Sequence, residues 1–129
     1  MKIQQGSWDH IIEWAMRFPH VEVCGMVAST GRVIPMRNES AMPTSQYQWG
    51  VQEMREQFSE MDRRGEEPIA FYHSHPNGKP DPSEVDMVGA LNAGMVYLIA
   101  YQGEAGWTLS AWLCLEPGIL VGEPLDVVP

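Results

Sequence analysis

The stretch "EPIAFYHSHPNGKPDPSEVDMVGALNAGMVYLIAYQ" (residues 67–102) reads as strand, loop, helix and strand, and that order decides the fold. The apolar run "PIAFY" predicts a strand whose first half is buried. Asn, Gly and repeated Pro in "PNGKPDP" predict a loop. "PSEVDMVGALNAG" predicts a short helix closed by Gly94, and "MVYLIAYQ" is a second strand-like run. Outward from this centre, "GEAG" turns into "WTLSAWLCLE", another strand. Upstream, "VEVCGMVAS", the turn "TGR" and "VIPMRN" form a hairpin, with Pro35 suiting an edge or irregular strand. "SWDHIIEWAMRF" carries Trp8, Ile11, Ile12, Ala15 and Phe18 at helical spacing between a cap at Ser7 and a stop at Pro19. After "ESAMPTS", "QYQW" predicts a short strand. "VQEMREQFSEMDRRG" predicts a second helix, apolar at Val51, Met54, Phe58 and Met61 and closed by Gly65. The tail "GILVGEPLDVV" supplies one or two further short strands. Helices alternate with strands, but tight turns make hairpins, so the expected fold is α/β, a mixed β-sheet flanked by helices.

Composition narrows the functions. A chain of 129 residues with 44% hydrophobic content fits a single domain, residues 1–129, with a real core. Seventeen acidic against eight basic residues give a net charge of -9, which repels a phosphate backbone and argues against nucleic acid as a partner. No apolar run approaches the roughly 20 residues of a membrane span, and the first ten residues lack an apolar signal core. The reading is cytoplasmic, with no membrane partner. Cys24 and Cys114 lie far apart without CxxC spacing, which suits two buried thiols better than a disulfide framework.

The crowd of polar groups after "PIAFY" has a chemical reading. Residues two apart on an extended chain share a face, so His73 and His75 set two imidazoles side by side while Ser74 faces away. Asp86 falls in the first turn of the following helix, and the loop between can fold that turn back towards the strand end. Two His and one Asp are ordinary zinc ligands, and a three-ligand set leaves a fourth position for water. Zinc lowers the pKa of such a water towards about 7, and a nearby proton acceptor would complete a hydrolase. A plainer reading stands beside each residue: Ser83 and Asp86 also form the S-x-x-D capping box, H-x-H also occurs on exposed strand edges, and the prolines are ordinary loop residues. The conjunction in one short window favours the metal.

"HSHPNGKPDPSEVD", preceded far upstream by the Glu of "PHVEVCGMV", resembles the signature of the JAMM/MPN+ metalloprotease family: a Glu, H-x-H, a seven-residue interval that opens on Pro, and S-x-x-D. The resemblance extends through the order of elements over nearly the whole chain. It implies the JAB/MPN, cytidine-deaminase-like architecture, zinc held by His73, His75 and Asp86, Glu22 as general base, and Ser83 stabilising the oxyanion. It also implies cleavage of amide or isopeptide bonds after the C-terminal glycines of ubiquitin or ubiquitin-like proteins. Independently, Glu22 sits between Val21 and Val23, where an unpaired carboxylate is costly to bury. A strand-end Glu facing solvent is its plainer reading. Cys24 shares its face by alternation and is read as a small buried hydrophobe.

The chain has no room for the long insertions of eukaryotic deubiquitinating relatives. Its central "IPMRNESAMPTSQYQW" and final "GEPLDVV" resemble short bacterial members that trim ThiS-like or MoaD-like sulfur carriers. The implied partner is therefore a ubiquitin-like sulfur-carrier protein with a Gly-Gly C-terminus, its tail pairing with a strand edge beside the site. A monomer and a homodimer both fit the sequence. Alternatives are a non-catalytic MPN module, disfavoured because all five positions are occupied; a RadC-like module, disfavoured by the acidic charge; and a peptidase for cell-wall or phage-tail material, usually fused to a second catalytic domain.

Overall fold

A computed structural model describes residues 1–129. The elements run β1 (Lys2–Gln4), α1 (Gln5–Arg17), β2 (Cys24–Ala28), β3 (Val33–Met36), α2 (Val51–Arg63), β4 (Pro68–His75), α3 (Glu84–Gly89), β5 (Val96–Gly103), β6 (Gly106–Glu116), β7 (Ile119–Gly122) and β8 (Asp126–Val128). Six strands form one sheet in the order β3-β2-β4-β5-β6-β7, and β1 pairs with β8 in a small separate ladder. The sheet is mixed, as expected. The crossover through α3 makes β4 and β5 parallel, while the tight connections elsewhere make antiparallel pairs.

Strand alternation divides the core between two faces. On one, Val27, Ala70, Tyr72, Leu98, Ala100 and Ala111 pack under Ile11 and Ala15 of α1. On the other, Cys24, Met26, Ile34, Phe71 and Tyr97 pack with Met61 of α2, joined by the partly buried Met54 and Phe58. Burying each large aliphatic side chain contributes about 1.5–3 kcal/mol, which holds the helices to the sheet. Both cysteines are free and buried. No helix is long and apolar enough to cross a membrane.

Local expectations fail at four places, each for a non-local reason. Helix α1 begins at Gln5, with Gln4 at the cap position making no side-chain bond; Ser7 is buried and donates its hydroxyl to the Gly31 carbonyl at 2.5 Å. Segment 46–49 is not a strand: only Trp49 bridges, to Asn38, because the loop folds on side-chain hydrogen bonds. The second strand starts at Cys24, leaving residues 21–23 outside the ladder. Helix α3 stops at Gly89, and Gly94 instead occupies a turn at φ 86°, its N–H bonded to the Cys114 carbonyl. The ladder between β1 and β8 joins segments too distant in sequence for the apolar pattern to pair them.

Candidate active site

The parallel strand β4 carries His73 and His75 out of the sheet at its C-terminal end, on the face shared with Phe71. Both rings are buried, and their Nε2 atoms lie 3.1 Å apart. Asp86 reaches them from the first turn of α3: its Oδ2 is 3.1 Å from His73 Nε2 and 2.9 Å from His75 Nε2. Glu22 comes from the segment before β2, which antiparallel pairing places beside β4 with Cys24 opposite His73. One potential ligand atom from each of Glu22, His73, His75 and Asp86 lies within 4.8 Å of the others.

Hydrogen bonds outside the cluster orient it. Nδ1 of His75 lies 2.8 Å from the Lys79 carbonyl, which makes Nδ1 a protonated nitrogen; Nε2 then donates to Asp86 when the ring is charged and turns a lone pair into the cluster when it is neutral. Tyr47 stacks on the His73 ring, with centroids 4.5 Å apart and planes at 24°. Ser83 and Asp86 form the complete capping box: Ser83 N–H donates to Asp86 Oδ2 at 2.9 Å, and Asp86 N–H donates to Ser83 Oγ at 3.1 Å. The structural role therefore coexists with the placement of Ser83 on the cleft. Because that hydroxyl oxygen accepts from a backbone N–H, its own hydrogen is free to donate elsewhere.

Between His73 and His75, Ser74 turns to the opposite face and replaces missing ladder bonds. Its Oγ accepts from Val23 N–H at 2.9 Å and donates to the Val21 carbonyl at 3.3 Å, while its N–H donates to the Val23 carbonyl at 2.9 Å. The backbone on both sides of Glu22 is thereby fixed. Sequence reasoning gave Ser74 only the property of facing away.

The electrostatics follow from crowding. Burial, and secondarily the Asp86 charge, raise Glu22 from 4.5 to about 7 against the opposing effect of His75. Its Oε1 is buried with no protein partner. Burial opposes charge on Asp86, but hydrogen bonds from His73 and His75 prevail and hold its pKa well below the usual carboxylate range. Burial lowers His73. In His75 burial is outweighed by the hydrogen bonds with Asp86 and the Lys79 carbonyl, so its net displacement is upward.

The donor set fits a divalent cation. Three lone-pair atoms, two imidazole nitrogens and a carboxylate oxygen, crowd at about 3 Å from one another. Without a cation, two facing imidazole nitrogens share a single carboxylate; with ligand distances of about 2.0–2.2 Å, one ion could reach all three. The site opens on a polar cleft of about 340 Å³ lined by Glu22, Thr44, Ser45, Asn77, Lys79 and Ser83 among others. Cys24 lies beside His73 in the sheet, and burial pushes its thiol up to about 12, which leaves it an inert core group.

Residues 4–114 match the family described as prokaryotic homologs of the JAB domain. Desampylase of Haloferax volcanii is 35% identical over 96 residues, spanning 70% of this chain and 69% of its own. A protein of Desulfitobacterium hafniense solved in solution superposes with a TM-score of 0.82 at 19% identity, covering 99% of this chain and 93% of that one. A JAB1/MPN domain protein from Archaeoglobus fulgidus does so with a TM-score of 0.59 at 21% identity, over 100% and 97% of the two chains. These structural likenesses bear on the fold.

Proposed function

The chain belongs to the prokaryotic JAB-domain family, of JAMM/MPN type, and from that premise we propose that it is a zinc-dependent peptidase or isopeptidase. Its proposed substrate is a ubiquitin-like sulfur-carrier protein, cut after the C-terminal Gly-Gly. The observation that carries the proposal is the convergence of Glu22, His73, His75 and Asp86 from three separate segments onto one buried point beside an open cleft. Desampylase, at 35% identity, supports a hydrolase acting on a ubiquitin-like protein. The sulfur-carrier class rests on the resemblance of "IPMRNESAMPTSQYQW" and "GEPLDVV" to short bacterial members.

In this reading His73, His75 and Asp86 hold the cation. When bound, it supplies a Lewis acid and lowers the pKa of a coordinated water towards neutrality. Glu22 accepts the proton of the attacking water and delivers it to the leaving nitrogen, so the proton enters and leaves through one carboxylate. The free Ser83 O–H donates to the carbonyl oxygen as it gains charge. Thr44, Ser45, Asn77 and Lys79 give the cleft polar walls suited to a peptide backbone. The tail was expected to pair with a strand edge. Edge strand β3 offers little: Pro35 lacks an N–H, and the next N–H outward, that of Arg37, is bonded to Glu53.

The test is a panel of carriers ending in Gly-Gly, each extended at the C-terminus or joined to a lysine side chain, read by mass spectrometry. Cleavage after the second glycine, abolished by a chelator and restored by zinc, is the expected result. Glu22→Gln should bind about one zinc per chain and cut nothing. Intact carriers alongside fragments released from peptidoglycan would overturn the substrate assignment.

A further inference from the structure

Asn38, half-buried just after β3, has no role of its own in the stretches quoted above, yet its carboxamide is fully used. Nδ2 donates to the Glu22 carbonyl at 2.9 Å and to the Gln46 carbonyl at 2.9 Å. Oδ1 accepts from Ser40 N–H at 3.0 Å and from Gln48 N–H at 3.2 Å. Two carbonyls on one side and two N–H groups on the other fix the amide orientation. The Asn38 backbone bridges to Trp49, and Glu39 N–H donates to the Gln48 carbonyl at 2.8 Å, closing the loop on itself. Glu22 N–H donates to the Pro43 carbonyl of the same loop at 2.7 Å. Thus both backbone polar groups of Glu22 bond to this segment and neither to the sheet.

The same loop carries the other parts of the cleft: Thr44 and Ser45 line its wall, and Tyr47 covers His73. We infer that Asn38 is a positioning residue, a knot that ties the backbone of Glu22 to the loop walling the cleft so that base, wall and His73 cover hold one arrangement. The inference rests on the proposed peptidase reading. Its physical basis is leverage: a small rotation of the Glu22 peptide displaces the carboxylate, and misplacement by about 1 Å costs roughly 10²-fold in rate. Asn38 makes no hydrogen bond to His73, His75 or Asp86, so its loss should leave metal binding intact.

Asn38→Asp keeps size and the acceptor towards Ser40 and Gln48 while removing both donors; Asn38→Ala removes the whole group. Each variant is to be assayed for zinc content, hydrogen exchange by mass spectrometry, and kcat and KM on a carrier fusion that the wild type cleaves. Expected are about one zinc per chain and exchange in residues 39–48 faster by about tenfold or more, since Asn38→Asp loses two and Asn38→Ala all four of the side-chain hydrogen bonds, with α1 and β5 unchanged. Kcat should fall about 10- to 100-fold while KM stays within about threefold, and the unchanged exchange of α1 and β5 distinguishes this from a loss of folded enzyme, which would also lower kcat alone. Unchanged exchange in the loop, zinc loss, failure of both variants to fold, or an unaltered kcat in a loosened variant would each overturn the inference. If the wild type cleaves no carrier, the substrate reading fails separately, and exchange with metal content decides whether Asn38 is the knot.

Discussion

Removing the proposed base should stabilise the metal-free protein. Glu22 is 4% exposed, its Oε1 has no partner, and its pKa stands at about 7 against an ordinary 4.5, chiefly through burial. A carboxyl with a raised folded pKa binds more protons in the folded state, so its contribution is complete below pH 4.5 and declines as pH rises to about 7. At about 1.36 kcal/mol per pH unit, the displacement from 4.5 to about 7 gives an upper figure of about 3.4 kcal/mol. Water entering from the cleft offsets part of this, leaving about 1–3 kcal/mol. Glu22→Gln keeps the shape and abolishes the titration. In chelator-treated protein unfolded by urea, the variant should match the wild type near pH 4 and exceed it at pH 8 by about 1–3 kcal/mol, a midpoint shift of about 1 M. Equal stability at pH 8, or the same gain at both pH values, would refute this account of the buried carboxylate.

Ser83→Ala removes the N-cap acceptor of α3 and the free hydroxyl on the cleft. It should cost about 1 kcal/mol in urea unfolding and, if the oxyanion role is right, slow kcat by about 10²- to 10³-fold. Ser74→Ala leaves the buried Val23 N–H unsatisfied and should cost about 1–3 kcal/mol in the same assay; a change within about 0.5 kcal/mol would contradict the clamp. Glu66 is held at about 2 first by the hydrogen bond from Arg32 and then by Thr30. A depressed carboxylate contributes stability above its ordinary pKa and loses it as pH falls from about 4.5 to about 2. Glu66→Gln should flatten acid unfolding across that window, and an unchanged profile would sink the assignment.

The sequence by itself determined whatever depends on short spacing. The period of two along a strand put His73 and His75 on one face, and the three-residue offset in S-x-x-D made Ser83 and Asp86 a helix start. Tight turns fixed the hairpins and hence a mixed sheet. These are geometric consequences of φ and ψ over a few residues, and at these positions no distant contact overrode them. Tertiary structure alone decided the rest. Glu22 meets the histidines because β2 pairs with β4 in a register that sets Cys24 against His73. Segment 46–49 lost its strand because the Asn38 carboxamide took the hydrogen bonds that a neighbouring strand would have supplied. Ser74 and Asn38 hold the backbone around Glu22 from opposite sides of the sequence, and nothing in their own neighbourhoods announces it. The physical reason is that a side-chain amide or hydroxyl bonds whichever backbone group folding brings within about 3 Å, and that choice is not encoded in local periodicity.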